Sequence, residues 1–203
     1  MSETISIIRL HADLNTLWHL PLETQPTPIP TPPNFHTLVT AHHRENFDLW
    51  HEEDKARVPD ASDAEIAHVK HAIDSFNQRR NDLVEKMDEW LLINLPPQNP
   101  AAPLHSETPG LILDRLSILS LKIFHTHIEA NRDTATETHR IRNAARLAIL
   151  EHQRDDLAYC LDALLTQVVD GSRRFQLYRQ MKMYNDPELN PAVYTHGITQ
   201  SKS

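Results

Sequence analysis

The segment Thr108-Pro-Gly-Leu-Ile-Leu-Asp-Arg-Leu-Ser-Ile-Leu-Ser-Leu-Lys-Ile-Phe-His125 carries apolar side chains around most of its circumference: Leu111, Ile112, Leu113, Leu116, Leu119, Leu121, Ile123 and Phe124. Thr108 is suited to an N-cap, and Pro109 to the first helical position, where the amide hydrogen it lacks would have no intrahelical partner. A helix that is apolar on nearly every side has to be surrounded by others. This one, ending near Asn131, is therefore expected at the centre of an all-α domain. One narrow wedge is polar: Asp114, Arg115, Lys122 and His125, with Glu107 just before it. An unpaired buried charge costs several kcal/mol, so these charges must pair or face a cavity.

Working outward, the loop Pro96, Pro97, Pro100, Pro103 separates this helix from an earlier one running to about Leu95. That helix opens on Ser62-Asp-Ala-Glu65, a capping box in which Ser and Glu satisfy each other's free amides. A first body helix covers about Phe35 to Arg57 and stops before Pro59. Downstream, Thr134-Ala-Thr-Glu137 reads as a second capping box, opening a helix to about Asp170 with Gly171 as its C-cap. A shorter fifth helix is expected from about Ser172 to Tyr184. The architecture expected is an antiparallel bundle of four to five long helices with an N-terminal arm. The arm has two parts. Residues 1–20 carry Ile7, Leu10, Leu14 and Leu17 at helical spacing, and residues 21–33 form a proline-rich linker. Residues 34–194 form the bundle and 195–203 a disordered tail. The amphipathic segment can fold back on the body or dock on a partner protein or a second copy of the chain.

Bulk composition narrows the function. Hydrophobic residues make up 39% of the 203, enough for a core. With only 3 Gly, and none in a phosphate-binding fingerprint, a P-loop or Rossmann loop is excluded. The net charge of −8 argues against a general nucleic-acid binder, which needs a basic surface. The lone Cys160 forms no internal disulfide, and no apolar run approaches the ~20 residues of a membrane span. A cytoplasmic protein without membrane insertion is expected.

The chemistry is expected where polar residues interrupt core-facing seams. In the first body helix, Val39, His43, Asn46, Trp50, Glu53 and Arg57 follow the alternating four-three spacing of a core seam, yet most are polar. In the second, Arg80 interrupts the stripe Ile66, Val69, Ile73, Phe76, Leu83, Val84, Met87, Leu91, with Asp74, Asn77, Asn81, Glu85 and Asp88 along one flank. Arg154 interrupts the stripe of the fourth. Two arrangements satisfy these charges. One is a closed ion-pair network, with Arg80 on Glu53 or Asp114 and Arg115 on Asp88. The other is a polar pocket, with Arg57, Arg80, Arg115 and Lys122 clamping a phosphate or carboxylate and Trp50 stacking on a sugar or base. Trp50 can equally be a core or interface aromatic. The candidate ligand-binding set is Asn46, Trp50, Glu53, Arg57, Asn77, Arg80, Asn81, Asp88, Asp114, Arg115, Lys122 and Lys182. No metal ligands are assigned. Glu85-Lys-Met-Asp88 has the E-x-x-D spacing that all-helical nucleotide pyrophosphatases use for magnesium, but that spacing is common on exposed helices. The 14 histidines share few helix faces.

Four ordered strings resemble a known bacterial family, the domain of unknown function 4254. They are Glu45 to Arg57, Asp74 to Asp88, Ser106 to Ile123 and Lys182 to Pro187. The resemblance spans about 34–194 and excludes the N-terminal arm. Asp114 to Lys122 also resembles a second uncharacterised group from similar gene neighbourhoods. The resemblance implies a helical bacterial protein met among surface-polysaccharide and glycosyltransferase genes, with no established activity to transfer. Three readings stand, with cofactors unknown and enzymatic activity undecided. The first is a binder of a small anionic ligand, such as a sugar phosphate or nucleotide sugar. The second is a metal-dependent phosphohydrolase built on Glu53, Glu85 and Asp88. The third is a non-enzymatic partner or scaffold of a glycan-assembly enzyme.

Overall fold

The computed structural model describes residues 3–25, 34–181 and 188–191. Within these the fold is all-α: α1 (Glu3–Trp18), a single 3-10 turn (Leu22–Thr24), α2 (Phe35–Lys55), α3 (Asp63–Asn94), α4 (Pro109–Ala130) and α5 (Glu137–Val169). The starts follow local chemistry. Asn34 and Ser62 each complete a reciprocal capping box, and the Thr108 hydroxyl accepts from the Leu111 amide with Pro109 next in line. Gly171, at φ 76°, ends α5 in the left-handed region that other residues enter only at a cost.

α2 and α3 form one hairpin and α4 and α5 a second, joined by short connections. α4 touches all four other α-helices, as its apolar circumference requires. Its residues Ile112, Leu113, Leu116 and Leu121 are almost fully buried, and they meet Val39 of α2, Val84 and Met87 of α3, and Leu161, Leu164 and Val168 of α5. The start of α4 lies so close to α3 that a β-carbon at Gly110 would sit 2.8 Å from the Val84 carbonyl oxygen. Here the glycine is needed for backbone approach, not for a turn.

The N-terminal segment is folded back. Ile7, His11 and Asn15 of α1 are buried against α2, α4 and α5. Asn15 meets His43 and Ser120, and eight residues or fewer further on His19 meets His51 and Phe124. α1, α2 and α4 therefore run in the same direction. The connection from α1 to α2 has to return the length of α1, about 24 Å at 1.5 Å per residue. Residues 26–33 of the proline-rich stretch, and the tail 195–203, fall outside the described residues.

Two expectations at the C-terminal side are corrected. The fourth body helix is capped by Thr136, whose side chain accepts from the His139 amide, and not by Thr134. No helix covers 172–181. After Gly171 the chain runs extended along the proline-rich loop: the Arg174 amide donates to Pro103 O, the His105 amide to Arg174 O, and Phe175 is buried. Proline leaves that loop with carbonyls that cannot be satisfied locally, and pairing with them outweighs the helix propensity of Phe175-Gln-Leu-Tyr-Arg179. No helix among the described residues is long and apolar enough to cross a membrane.

Candidate functional site

Two polar clusters sit between α1, α2 and α4, and a groove runs beside them. The inner cluster centres on Asp114. Its Oδ1 lies 2.9 Å from His42 Nε2, 3.1 Å from Asn46 Nδ2 and 3.2 Å from Arg80 Nε. Burial alone would raise the Asp114 carboxyl. The His42 hydrogen bond and charge, Arg80 and Asn46 together outweigh it and hold the group below the usual carboxylate range.

From Asn46 a chain of donors runs through the core. Asn46 Nδ2 donates to Ser117 Oγ at 3.0 Å, and Ser117 Oγ donates to His43 Nδ1 at 2.7 Å. His43 Nε2 then donates to Asn15 Oδ1 at 2.9 Å, and Asn15 Nδ2 to Ser120 Oγ at 2.9 Å. This polarity requires a neutral His43 protonated on Nε2. Burial and the neighbouring His42 drive its pKa down to about 3, in agreement. His11 stacks on His43 at 4.3 Å between ring centres, and neither of its ring nitrogens is hydrogen-bonded. Burial, then His43 and His42, push its pKa well below the ordinary value, so it too is neutral.

The groove follows α4 on the side facing solvent. One compartment, about 390 Å³, is lined by Asn46, Leu49, Trp50, Glu53, Asp54, Arg57, Arg80, Ile118 and Leu121. A second, about 330 Å³, shares Trp50 and adds Lys122, His125, Glu129, Asn143 and Arg146. A third, about 460 Å³, shares Ile118 and Lys122 and continues along Arg115, Gln153 and Asp156. Several of the groove's charges are already paired: Arg57 with Glu53 at 2.9 Å, Arg80 with Asp114, Arg115 with Glu107 at 3.0 Å, and Glu129 with Arg132 and His139. Lys122 has no ionic partner among the described residues, and Arg146 has only the Asn143 amide oxygen at 3.4 Å.

The outer cluster lies where the groove meets the end of α1. The rings of His19, His51 and His125 come from three different elements, and one ligand-type atom of each lies within 4.8 Å of the others. Trp50 stacks on His125 in nearly parallel planes, 2° apart at 4.8 Å. Phe47 and Phe124 close the sides.

Of the residues singled out in the sequence, Asn46, Trp50, Glu53, Arg57 and Arg80 come together in one compartment, with Asp114 directly behind Asn46 and Arg80. Lys122 and Arg115 lie in the adjoining ones. Asn77 bonds back to Ile73 O and accepts from Arg80 Nη1, and Asn81 is half-buried. Asp88 is elsewhere. It is buried beneath the first turn of α4, accepts the Gly110 amide at 2.7 Å, and does not pair with Arg115 as one expected arrangement had it. Burial raises its pKa to about 6 against the Thr108 and Gly110 hydrogen bonds. Glu85, its E-x-x-D partner, is engaged by Arg179 and the Gln180 amide, away from Glu53 in the groove. Arg154 pairs with the adjacent Asp155. Lys182 lies outside the described residues. The sequence reading missed His11, His42 and the His19–His51–His125 convergence. Each histidine looks isolated on its own helix; the packing of α2 on α4 brings His42 to Asp114 and His51 to His125, and the fold-back of α1 adds His11 and His19.

A family model described as a protein of unknown function (DUF4254) matches residues 36–177. Searches of curated proteins and of solved structures find no match. The chain belongs to the DUF4254 family.

Proposed function

We propose that this DUF4254 protein binds a small anionic ligand, a phosphorylated sugar or nucleotide sugar, in the groove along α4, in the setting of bacterial surface-polysaccharide biosynthesis. The observation that carries the reading is the pairing of a half-buried aromatic wall with unneutralised cations. Trp50 borders two compartments, and Lys122 and Arg146 stand in one of them without a carboxylate partner among the described residues. A phosphate there would gain charge-assisted hydrogen bonds from a guanidinium and an ammonium. Trp50 offers its free face to a sugar or base. Glu53 and Asp54 in the neighbouring compartment suit the hydroxyls of a sugar ring. The polysaccharide setting rests on the sequence strings shared with the family.

Thermal-shift titration against nucleotide sugars, sugar phosphates and the matching neutral sugars tests this. A ligand at a hundred times its Kd stabilises by about 2.7 kcal/mol. Phosphorylated compounds are expected to raise Tm by several degrees, with the effect lost in Lys122→Ala/Arg146→Ala and absent for neutral sugars. If no phosphorylated compound shifts the folded wild type, the reading fails.

A further inference from the structure

We propose that His19, His51 and His125 form a binding site for one divalent transition-metal ion of the zinc class. The three rings arrive from the end of α1, from α2 and from α4, with centres 5.1, 5.2 and 5.7 Å apart. Three imidazoles around a tetrahedral ion at 2.0–2.1 Å would place their centres about 5.2 Å apart, from the metal–nitrogen distance and the size of the ring. Bringing the nitrogens from within 4.8 Å of one another to the roughly 3.3 Å of such a site needs shifts of about 1.5 Å at most.

The hydrogen bonds orient these rings as metal ligands are oriented. His19 Nδ1 donates to the Asn15 carbonyl at 2.6 Å, and His51 Nδ1 to the Phe47 carbonyl at 2.8 Å. Each bond is to the residue four back in the chain, and it places the remaining lone pair on Nε2. That is the outer-shell partner that fixes the tautomer of a ligating histidine. The third ring supplies an independent sign: His125 Nε2 is buried and has no hydrogen-bond partner. An aromatic cluster formed only for packing gives no reason to strand that nitrogen beside two prepared ones. Trp50, Phe47 and Phe124 provide the apolar surround that strengthens a site by excluding water, while His19 is exposed and leaves a fourth position open to solvent.

The charge state agrees. Burial, with His19 and His51, drives His125 down to about 4, against the pull of Asp54. Burial, with a smaller contribution from His51, lowers His19 despite its bond to Asn15. An arriving cation therefore displaces no protons from these two rings at neutral pH. Nitrogen-only ligation with an open position suits zinc, cobalt, nickel or copper, and does not suit magnesium, which takes oxygen ligands. Because His125 also lines the compartment that holds Lys122 and Arg146, a bound ion would add positive charge beside them.

The test is made on the full chain, metal-stripped and without organic ligand, so it stands or falls apart from the proposed sugar-phosphate binding. Cobalt(II) is titrated and followed by visible absorption and calorimetry. The expected result is one equivalent bound with the intense bands of four-coordinate cobalt. Affinity should fall at least tenfold in each of His19→Gln, His51→Gln and His125→Gln. The exposed His152→Gln on α5 should bind like wild type. His19→Gln is the decisive variant, because its side chain is exposed and its loss leaves the core intact. No bands with a protein that is folded by circular dichroism would overturn the proposal. So would binding that survives His19→Gln and His51→Gln, or binding that His152→Gln weakens equally.

Discussion

The two polar clusters are built on the same three helices, one a fixed step below the other. His11, His43 and Ser117 belong to the inner cluster, and His19, His51 and His125, each eight residues further on, to the outer. Eight residues is about 12 Å along a helix. The inner layer is flanked by Asn15, Asn46, Asp114 and Ser120, which bond His42 and His43 from side chains on neighbouring helices and leave His11 stacked on His43 without a partner. In the outer layer the side chains of Phe47, Trp50 and Phe124 pack against the rings, and the hydrogen bonds to His19 and His51 come from main-chain carbonyls, each on Nδ1. The comparison teaches that partners decide whether a buried imidazole is structural or available. Side-chain hydrogen bonds tie His42 and His43 of the inner layer across helices, whereas the outer rings have no side-chain hydrogen bond among the described residues.

The sharpest way to break this contrast is at its hub. Asp114→Ala leaves the Arg80 charge and the His42 and Asn46 donors unanswered, and is expected to cost about 3–5 kcal/mol in urea denaturation. A loss below about 1 kcal/mol would mean that the inner cluster is not what locks α2 to α4. Ser117→Ala, which cuts the chain between Asn46 and His43, should cost about 1–3 kcal/mol.

Acidification probes both layers. Unfolded histidines take up a proton near 6.5, whereas folded His43 waits until about 3 and folded His125 until about 4, with His11 and His19 also depressed. The unfolded state thus binds more protons below 6.5, so stability falls as pH drops from 6.5 towards 4, by up to about 1.4 kcal/mol per pH unit for each fully buried ring. Asp88 works the other way. Its folded pKa of about 6 lies above the ordinary 3.8, so protonation between these values favours the folded state. Asp114, depressed when folded, keeps its contribution until the pH falls below 3.8. Denaturation at pH 7, 6 and 5 should show a net decline, with a similarly shallower slope in His43→Gln and in His125→Gln, because both folded rings stay neutral over that range. A slope that either substitution leaves unchanged would mean that the ring it removes is already protonated in the folded state. The smallest effect is expected at the outer layer without metal, where His51→Gln should change stability by about 0.5 kcal/mol or less.

Much of this was legible in the residues themselves. The caps at Ser62 and Thr108, the stop at Gly171 and the all-round apolarity of Leu111 to Phe124 are local properties, and local hydrogen bonding and sterics impose them whatever the surroundings. The convergence of Asn46, Trp50, Glu53, Arg57 and Arg80 followed from helical periodicity, because residues three and four apart share a face. Tertiary structure decided what periodicity cannot express. Residues 172–181 are not helical because Arg174 and Phe175 pair with the proline-rich loop and Arg179 and Gln180 with Glu85 and Glu89 of α3, partners that lie far away in sequence. Asp88 went to the first turn of α4 because Gly110 lets that backbone come within bonding distance. The histidines are spaced along separate helices, and no single helix marks them as neighbours. They meet only because α1 folds back parallel to α2 and α4, bringing positions 19, 51 and 125 to one level.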